Sequence, residues 1–536
     1  MRRLEPAPPP RSGPYKRYAL YPVIYATSVA YYLIYYNVGI SLGDEGIFVN
    51  STLRIMDGQI PYRDFFYYPP GANYILAALF KLFGVDLLVG RLLWVSVVSA
   101  NVLLTFAIGR RIMPLPYAVV SSVAALLVPG PWHKSLIPFF FLSSSALAVR
   151  YISGKGVANA LLCGVLSGAV VYFRYDTAVF VFLSYMLLVF FSNIQGMRQG
   201  GGAAPWLRES ASLSLGMATA LIPASLFFLR MEGGVAIVRD VLFSAAGEKG
   251  AMGFPLPPLD SSLFTGGLTD IFGRLMFYMP VAVIAATGAV VLVRASRAGI
   301  GRDELLLVFL MAAGLFAYNQ TLVRADLPHL LQSIQVEYIL VPYLAAQSVR
   351  FLENRRVGRP SPIFPARSAV LAFLLATFGL FTYLNVSKAN FYTGSIGVLR
   401  DKEVPLGIPG AEVYTDREDH DNIKGLVEYI RANTSASEPV WVAPFAPMLY
   451  VLSGRKNPTR YDGIFPATLT KPGFEKEYIG EIERSGVRLI VFQDMKFTDK
   501  ESSRLRNYAP GVYGFIQANY EKKAEFGGYQ VYMKKT

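Results

Sequence analysis

The chain has 536 residues, of which 53% are hydrophobic and 16% charged, with a mean hydropathy of +0.37. That balance excludes an ordinary soluble protein and marks a polytopic membrane protein with room for a further domain. The net charge of +14 sits in short loops between apolar runs, so it reports topology and excludes nucleic acid as a partner, and the single cysteine, Cys163, excludes an internal disulfide.

The first residues, MRRLEPAPPPRSGPYKRY, are basic and Pro-rich and lack a small-residue cleavage site. Residues 1–17 are therefore read as a cytoplasmic tail and the first helix as retained. About eleven spans follow, at Tyr18–Val38, Leu87–Ile108, Leu115–Val128, Ser135–Val149, Val157–Phe173, Thr177–Phe191, Ser210–Phe228, Leu275–Leu292, Leu305–Leu322, Leu330–Ala346 and Ala369–Leu384. The third and fourth are short against the ~20 residues a spanning helix needs. Basic residues collect on one side of this map, at the N-terminus, Arg110-Arg111, Arg150, Lys155, Arg198, Arg208, Arg294, Arg297, Arg302 and the 350–367 loop. The opposite loops carry about as many acids as bases. The positive-inside rule then places the N-terminus in the cytoplasm and the tail outside.

The fold class expected is an α-helical polytopic membrane domain, 18–386, carrying a small α/β domain, 387–536, outside the cytoplasm. The map brings three charged motifs, each at a span end, to the outer face. They are Asp44-Glu45 in the first outer loop (39–86), Arg174-Tyr175-Asp176, and Arg324 to His329 (RADLPH). Charges that converge beside apolar helices suggest a site.

Asp44 and Glu45 open a stretch with apolar residues at Ile47, Phe48, Leu53, Ile55 and Met56, the spacing of an amphipathic helix on the membrane surface, ended by Gly58. The bland role for Asp44 is to cap that helix; the sharper one is a carboxylate fixed in place as a base. Arg174 is an interfacial arginine paired with its neighbour or a ligand for a lipid phosphate, with Asp176 orienting it or a substrate hydroxyl. Arg324, Asp326 and His329 repeat the pattern. His133 and His420 carry little weight alone, and Glu337 lies about two turns into the tenth span. A sugar joined to a phosphate has a good leaving group and needs no general acid. A carboxylate base and a cationic cradle suffice for a single displacement with inversion.

Asp44-Glu45, then Gly58 with Pro61-Tyr62-Arg63-Asp64, Pro69-Pro70, Leu82-Phe83-Gly84 and Arg91 form an ordered run. In this run the chain resembles the GT-C class of membrane glycosyltransferases, the superfamily of the protein O-mannosyltransferases and the lipid A aminoarabinose transferase. The resemblance covers roughly Tyr18 to Leu384. It implies a polyprenyl-phosphate sugar as co-substrate, transfer on the non-cytoplasmic face, Asp44 as the catalytic acid with Glu45 supporting it, and Arg174 near the lipid phosphate. Arg63 joins the candidate substrate-binding residues, with Arg91 as a further cation in the same loop. Relatives often carry a second acid in the loop between spans three and four; here that loop is PGPWHK, so no metal is assigned, and Asp176 or Asp326 is left to do the missing carboxylate's work.

In the tail, DHDNIKGLVEYIRAN and GFEKEYIGEIERSG read as helices, and PVWVAP, VRLIVF and YQVYMKK as strands, without a Gly-rich nucleotide fingerprint. The loop LSGRKNPTRYDG, with Arg455, Lys456 and Arg460, is either solvated or in contact with acceptor or lipid phosphates.

The expected function is an integral plasma-membrane (inner-membrane) glycosyltransferase. It would use membrane lipid, a lipid-linked donor and a glycan, lipid or protein acceptor, with no firm cofactor. The alternative is a transporter or flippase of lipid-linked sugars. That class favours midplane charges and inverted repeats, and neither pattern is visible here.

Overall fold

The computed structural model describes residues 19–66, 69–231, 234, 252–260, 267–354, 363–387, 394–467 and 473–536. The expected cytoplasmic tail, 1–17, lies outside them, as do Tyr18 and Arg355, Arg356 and Arg359. The membrane domain contains α1 (Leu20–Leu33), α2 (Asp44–Met56), α3 (Gly71–Phe83), α4 (Leu87–Ile112), α5 (Leu115–Leu127), α6 (Leu136–Ser153), α7 (Val157–Val170), α8 (Tyr175–Arg198), α9 (Ala204–Arg230), α10 (Leu268–Leu275), α11 (Met279–Ala298), α12 (Arg302–Val323), α13 (Leu327–Ser333), α14 (Glu337–Asn354) and α15 (Ile363–Ser387). Six of these, α4, α6, α8, α9, α11 and α12, are long and apolar enough to cross a membrane. The chain is a polytopic membrane protein.

Helices α4, α6 and α12 are mostly buried among their neighbours, whereas α9 and α11 turn Leu215, Leu229 and Leu292 outward, as lipid-facing helices do. Helices α7 and α9 nearly touch. A Cβ at Gly164 would lie 1.9 Å from the Leu213 carbonyl oxygen, so only glycine admits this contact. The tenth span is not continuous: the chain leaves α13 at Ser333 and restarts at Glu337, with Pro328 in the first turn of α13.

The C-terminal domain carries β1 (Val404–Pro405), β2 (Tyr414–Thr415), α16 (Arg417–Asn433), β3 (Val440–Ala443), α17 (Met448–Ser453), α18 (Phe474–Ser485), β4 (Leu489–Gln493), α19 (Leu505–Tyr508), α20 (Pro510–Asn519), β5 (Tyr520–Phe526) and β6 (Tyr529–Lys534). The main sheet has the order β3-β4-β6-β5, with β3 and β4 parallel and the other pairs antiparallel. Strand β4 is apolar from Leu489 to Phe492 because both faces are covered there. Leu489 and Val491 join the core around α16, while Ile490 and Phe492 join Trp441, Tyr478 and Val512 around α18 and α20. The edge strand β5 reads YEKKAEF, too charged to announce itself as a strand.

Two expectations change here. Helix α2 has no free polar face. It is sandwiched beneath the C-terminal domain, with Phe48, Val49, Ser51 and Thr52 buried and Gly46 packed on the backbone of Met448. The loop around Arg455 is solvated only in part: Lys456 is exposed, but Thr459 and Asp462 are buried against the membrane domain. Asp462, fully buried at its side chain, accepts from Arg54 (2.8 Å) and Ser51 (3.1 Å), Lys456 pairs with Asp57 (3.0 Å), and Arg460 donates to the Tyr62 carbonyl (3.0 Å). These contacts clamp the domain onto α2 and the segment after it.

Candidate active site

The start of α2 is built from short-range hydrogen bonds. The Ser41 hydroxyl accepts from the Asp44 N–H (3.1 Å), and the Ser41 N–H donates to Glu45 Oε2 (3.4 Å). Gly43 occupies the N-cap position, so Asp44 is not the cap; its carboxylate sits in the first turn, about one-third exposed. There Oδ2 lies 3.5 Å from Nε2 of His133, in the 3-10 turn Trp132–Lys134 that precedes α6.

Glu45 has the opposite fate. It is buried, and its two oxygens take the Nε (2.7 Å) and Nη2 (2.9 Å) donors of Arg91 on α4. Arg91 also donates to the carbonyls of Tyr36 (2.9 Å) and Gly39 (2.6 Å). This bidentate pair fixes the bend between α1 and α2 and thereby the place of Asp44. Both groups are buried and committed to each other.

The other two motifs form Arg-Asp corners. Arg174 reaches Asp176 through Nε (2.9 Å) and Gln320 of α12 through Nη2 (3.0 Å), and Gln320 donates to Asp176 Oδ2 (2.5 Å). Arg324 reaches Asp326 through Nε (2.7 Å) and the Phe497 carbonyl of the C-terminal domain through Nη2 (3.1 Å). Its guanidinium also stacks over Phe254, 4.8 Å from the ring centre. Asp326 caps α13, accepting from the His329 N–H (3.0 Å) and lying 2.5 Å from His329 Nδ1. That pairing puts the imidazole proton on Nδ1 and leaves Nε2 to accept from Lys134 Nζ (3.3 Å).

Lys134 is the centre that joins the motifs. Burial draws its ammonium below the ordinary value, Asp44 and Asp326 oppose that, and Arg174 and Arg324 add to it. Residues from three separate stretches therefore act on one side chain at one end of the helix bundle. Burial pulls His133 down to about 4 against the attraction of Asp44, and it also lowers His329. Burial alone would raise Asp326, but the hydrogen bonds and charge of His329 outweigh it and hold the carboxyl at about 2. At neutral pH the site thus combines a carboxylate, neutral imidazoles and a cationic cluster, an arrangement suited to an anion beside a base.

Arg63 stands apart, more than half exposed and bonded to the adjacent Asp64 (2.7 and 2.8 Å). Glu337 is fully buried in the first turn of α14 beside Gly314. Among the described residues no three His, Cys, Asp or Glu side chains cluster as a metal site. Lys134 and Gln320 were not singled out from the sequence. A lysine in a Pro-rich loop and a glutamine inside an apolar helix carry no local signal, and His133 gained weight only from its position against Asp44.

No protein-family model and no curated protein matches the chain by sequence. Solved structures do match in fold. The archaeal oligosaccharyltransferase AglB from Archaeoglobus fulgidus, in complex with an inhibitory peptide and a dolichol-phosphate, aligns with a TM-score of 0.55 at 11% identity, over 98% of this chain and 75% of that one. ArnT from Cupriavidus metallidurans aligns in its apo state with a TM-score of 0.53 at 13% identity, over 97% of this chain and 98% of that one. The same enzyme bound to undecaprenyl phosphate gives 0.51 at 11% identity, over 97% and 98%. At such identities the likeness is one of architecture, and the architecture is the GT-C fold that the Asp44-to-Arg91 run implied.

Proposed function

We propose that this chain is a glycosyltransferase that moves a sugar from a polyprenyl-phosphate carrier to an acceptor hydroxyl on the outer face of the membrane, by single displacement with inversion. One observation supports this above the others: a partly exposed carboxylate, Asp44, shares the field of Lys134 with two arginine corners. The fold adds support, because the similar structures include one bound to undecaprenyl phosphate and one in complex with dolichol-phosphate.

Asp44 accepts the proton of the acceptor hydroxyl as the new oxygen–C1 bond forms. The C1–O bond to phosphate breaks on the opposite face of the sugar, and its electron pair leaves with the phosphate. Arg174, Arg324 and Lys134 hold the added charge of the departing polyprenyl phosphate. Glu45 and Arg91 hold the base in position. The C-terminal domain lies outside the cytoplasm in this reading, over the site. No metal is needed by any of these steps.

The test uses the purified full chain in detergent, supplied with a polyprenyl-phosphate sugar and no ion gradient. Release of polyprenyl phosphate and transfer of the sugar are expected, and their absence with every donor tried would leave the transporter reading in place. Asp44→Asn should cut transfer by about 10²–10⁴-fold with donor binding retained; a rate within about threefold of wild type removes Asp44 from the mechanism.

A further inference from the structure

We propose that the C-terminal domain supplies a saccharide-binding subsite, built from Phe445, Phe465 and Phe497, that seats the acceptor beside Asp44. Its assignment to the acceptor rests on the glycosyl-transfer reading above; the binding of a saccharide does not.

The placement follows from the sheet. Strands β3 and β4 are parallel, and both end toward the site: Phe445 follows the carboxyl end of β3 by two residues and Phe497 that of β4 by four. Open α/β sheets bind ligands in the crevice outside the carboxyl ends of such strands. Here that crevice faces the membrane domain. Met448 N–H donates to the Leu42 carbonyl (3.0 Å), and Arg324 donates to the Phe497 carbonyl (3.1 Å). The aromatic cluster therefore touches the segment that carries Asp44 on one side and a phosphate-corner arginine on the other.

The rings are held in place. Phe445 lies between two glycines: a Cβ at Gly43 would be 2.6 Å from its Cε1, and one at Gly463 would be 2.5 Å from its Cδ2. Phe465 meets Phe445 at 4.7 Å and Phe497 at 5.1 Å between ring centres, both at 60°. Phe445 and Phe465, inclined to each other at 60° and half-buried, rest against the buried Phe497 and present an aromatic surface on two loops.

The chemistry of the loops selects the occupant. Of the three that carry the rings, two read Ala443-Pro444-Phe445-Ala446-Pro447 and Gly463-Ile464-Phe465-Pro466, with no charge, while the third, Asp494-Met495-Lys496-Phe497, spends its charges on Arg504 (3.2 Å) and Glu501 (2.8 Å). Three of these residues are prolines without an N–H, and the Ile464 N–H is spent on the Pro444 carbonyl (3.0 Å). A peptide finds little main-chain edge to pair with. A pyranose needs none: its C–H face carries partial positive charge and packs on the negative face of an aromatic ring, leaving its hydroxyls free to reach Asp44.

Saturation-transfer NMR on the detergent-solubilised full chain tests this without requiring turnover. The probes are a panel of methyl pyranosides and N-acetylated disaccharides, with Ser/Thr-containing peptides and short-chain lipids as competing classes. The saccharides should receive saturation through their C–H faces. Phe465→Ala should weaken that binding by about tenfold, the size of a lost ring stack, and Phe465→Trp should restore it. Loss of the thermal transition and of polyprenyl-phosphate binding identifies a variant that is merely misfolded. No saccharide binding by wild type, binding undiminished in a folded Phe465→Ala, or stronger binding of peptide or lipid each overturns the proposal. Failure of the polyprenyl-phosphate release assay alone would overturn the glycosyl-transfer reading and leave the subsite standing.

Discussion

The two Arg-x-Asp corners share a local sequence and an Arg Nε–Asp contact, at 2.9 Å in Arg174–Asp176 and 2.7 Å in Arg324–Asp326, yet they are held differently. The Arg174 corner is completed inside the membrane domain, by Gln320 of α12. The Arg324 corner is completed by His329 below and by the Phe497 carbonyl of the C-terminal domain above, with Phe254 stacked on it. Side-chain exposure follows: 36% for Arg174 against 25% for Arg324. The same Arg-x-Asp spacing thus makes a more accessible guanidinium in one place and an interdomain tie in the other. Which of these it becomes depends on what covers it.

If both arginines share one lipid phosphate, the double variant Arg174→Ala/Arg324→Ala should suffer the largest loss. Donor turnover should fall by more than either single change, and a double-mutant cycle should show coupling. Fully additive losses would mean two independent anions. Arg174→Ala alone should lose roughly 2–4 kcal/mol of transition-state stabilisation, mostly in reaction with the donor, if the site excludes water. Arg174→Lys should fall between it and wild type, because lysine keeps the charge and loses the planar fork. Steady-state kinetics against donor concentration measures all three.

Arg324→Ala sharpens the contrast, since it should add a structural defect that Arg174→Ala lacks. The tie to Phe497 is broken, so the melting temperature should drop and protease should release the C-terminal domain faster. Equal melting for both single variants would erase the difference between the corners.

The smallest expected effect is a pH dependence confined to the second corner and its neighbour. Burial holds His133 at about 4, and His329 also lies below its ordinary value. Between an unfolded value near 6.5 and the folded value, the unfolded chain binds a proton that the folded chain refuses, so stability falls as pH falls through that window. His133→Gln should flatten that part of the melting-versus-pH curve in the range of about 6.5 to 4, while Gln320→Ala at the first corner should leave its slope unchanged. An unaltered slope in His133→Gln would place the titration elsewhere.

The helical bundle was legible because apolar runs and charge sorting are local properties of the chain. The Asp44-Glu45 pair and the two corners were legible because acids and arginines at span ends are costly and therefore conspicuous. The strands of the C-terminal domain were legible wherever they are buried on both faces, as in Leu489–Gln493, and not where β5 runs charged along an edge. The break in the tenth span was not read, because Ser333 to Val336 is short and flanked by apolar residues.

The sequence by itself determined where helices run, which residues gather at span ends and which loop carries the family-like motif; each depends on neighbours along the chain. Tertiary structure alone decided that Glu45 is spent on Arg91, forty-six positions away, while Asp44 keeps a partly exposed carboxylate. It alone brought Lys134 to His329, within the fields of Asp44, Asp326 and the two arginines, and laid Phe445 against Gly43. Burial and long-range pairing set the charge state and the partner of each polar group, and neither is encoded in the spacing of residues along one chain.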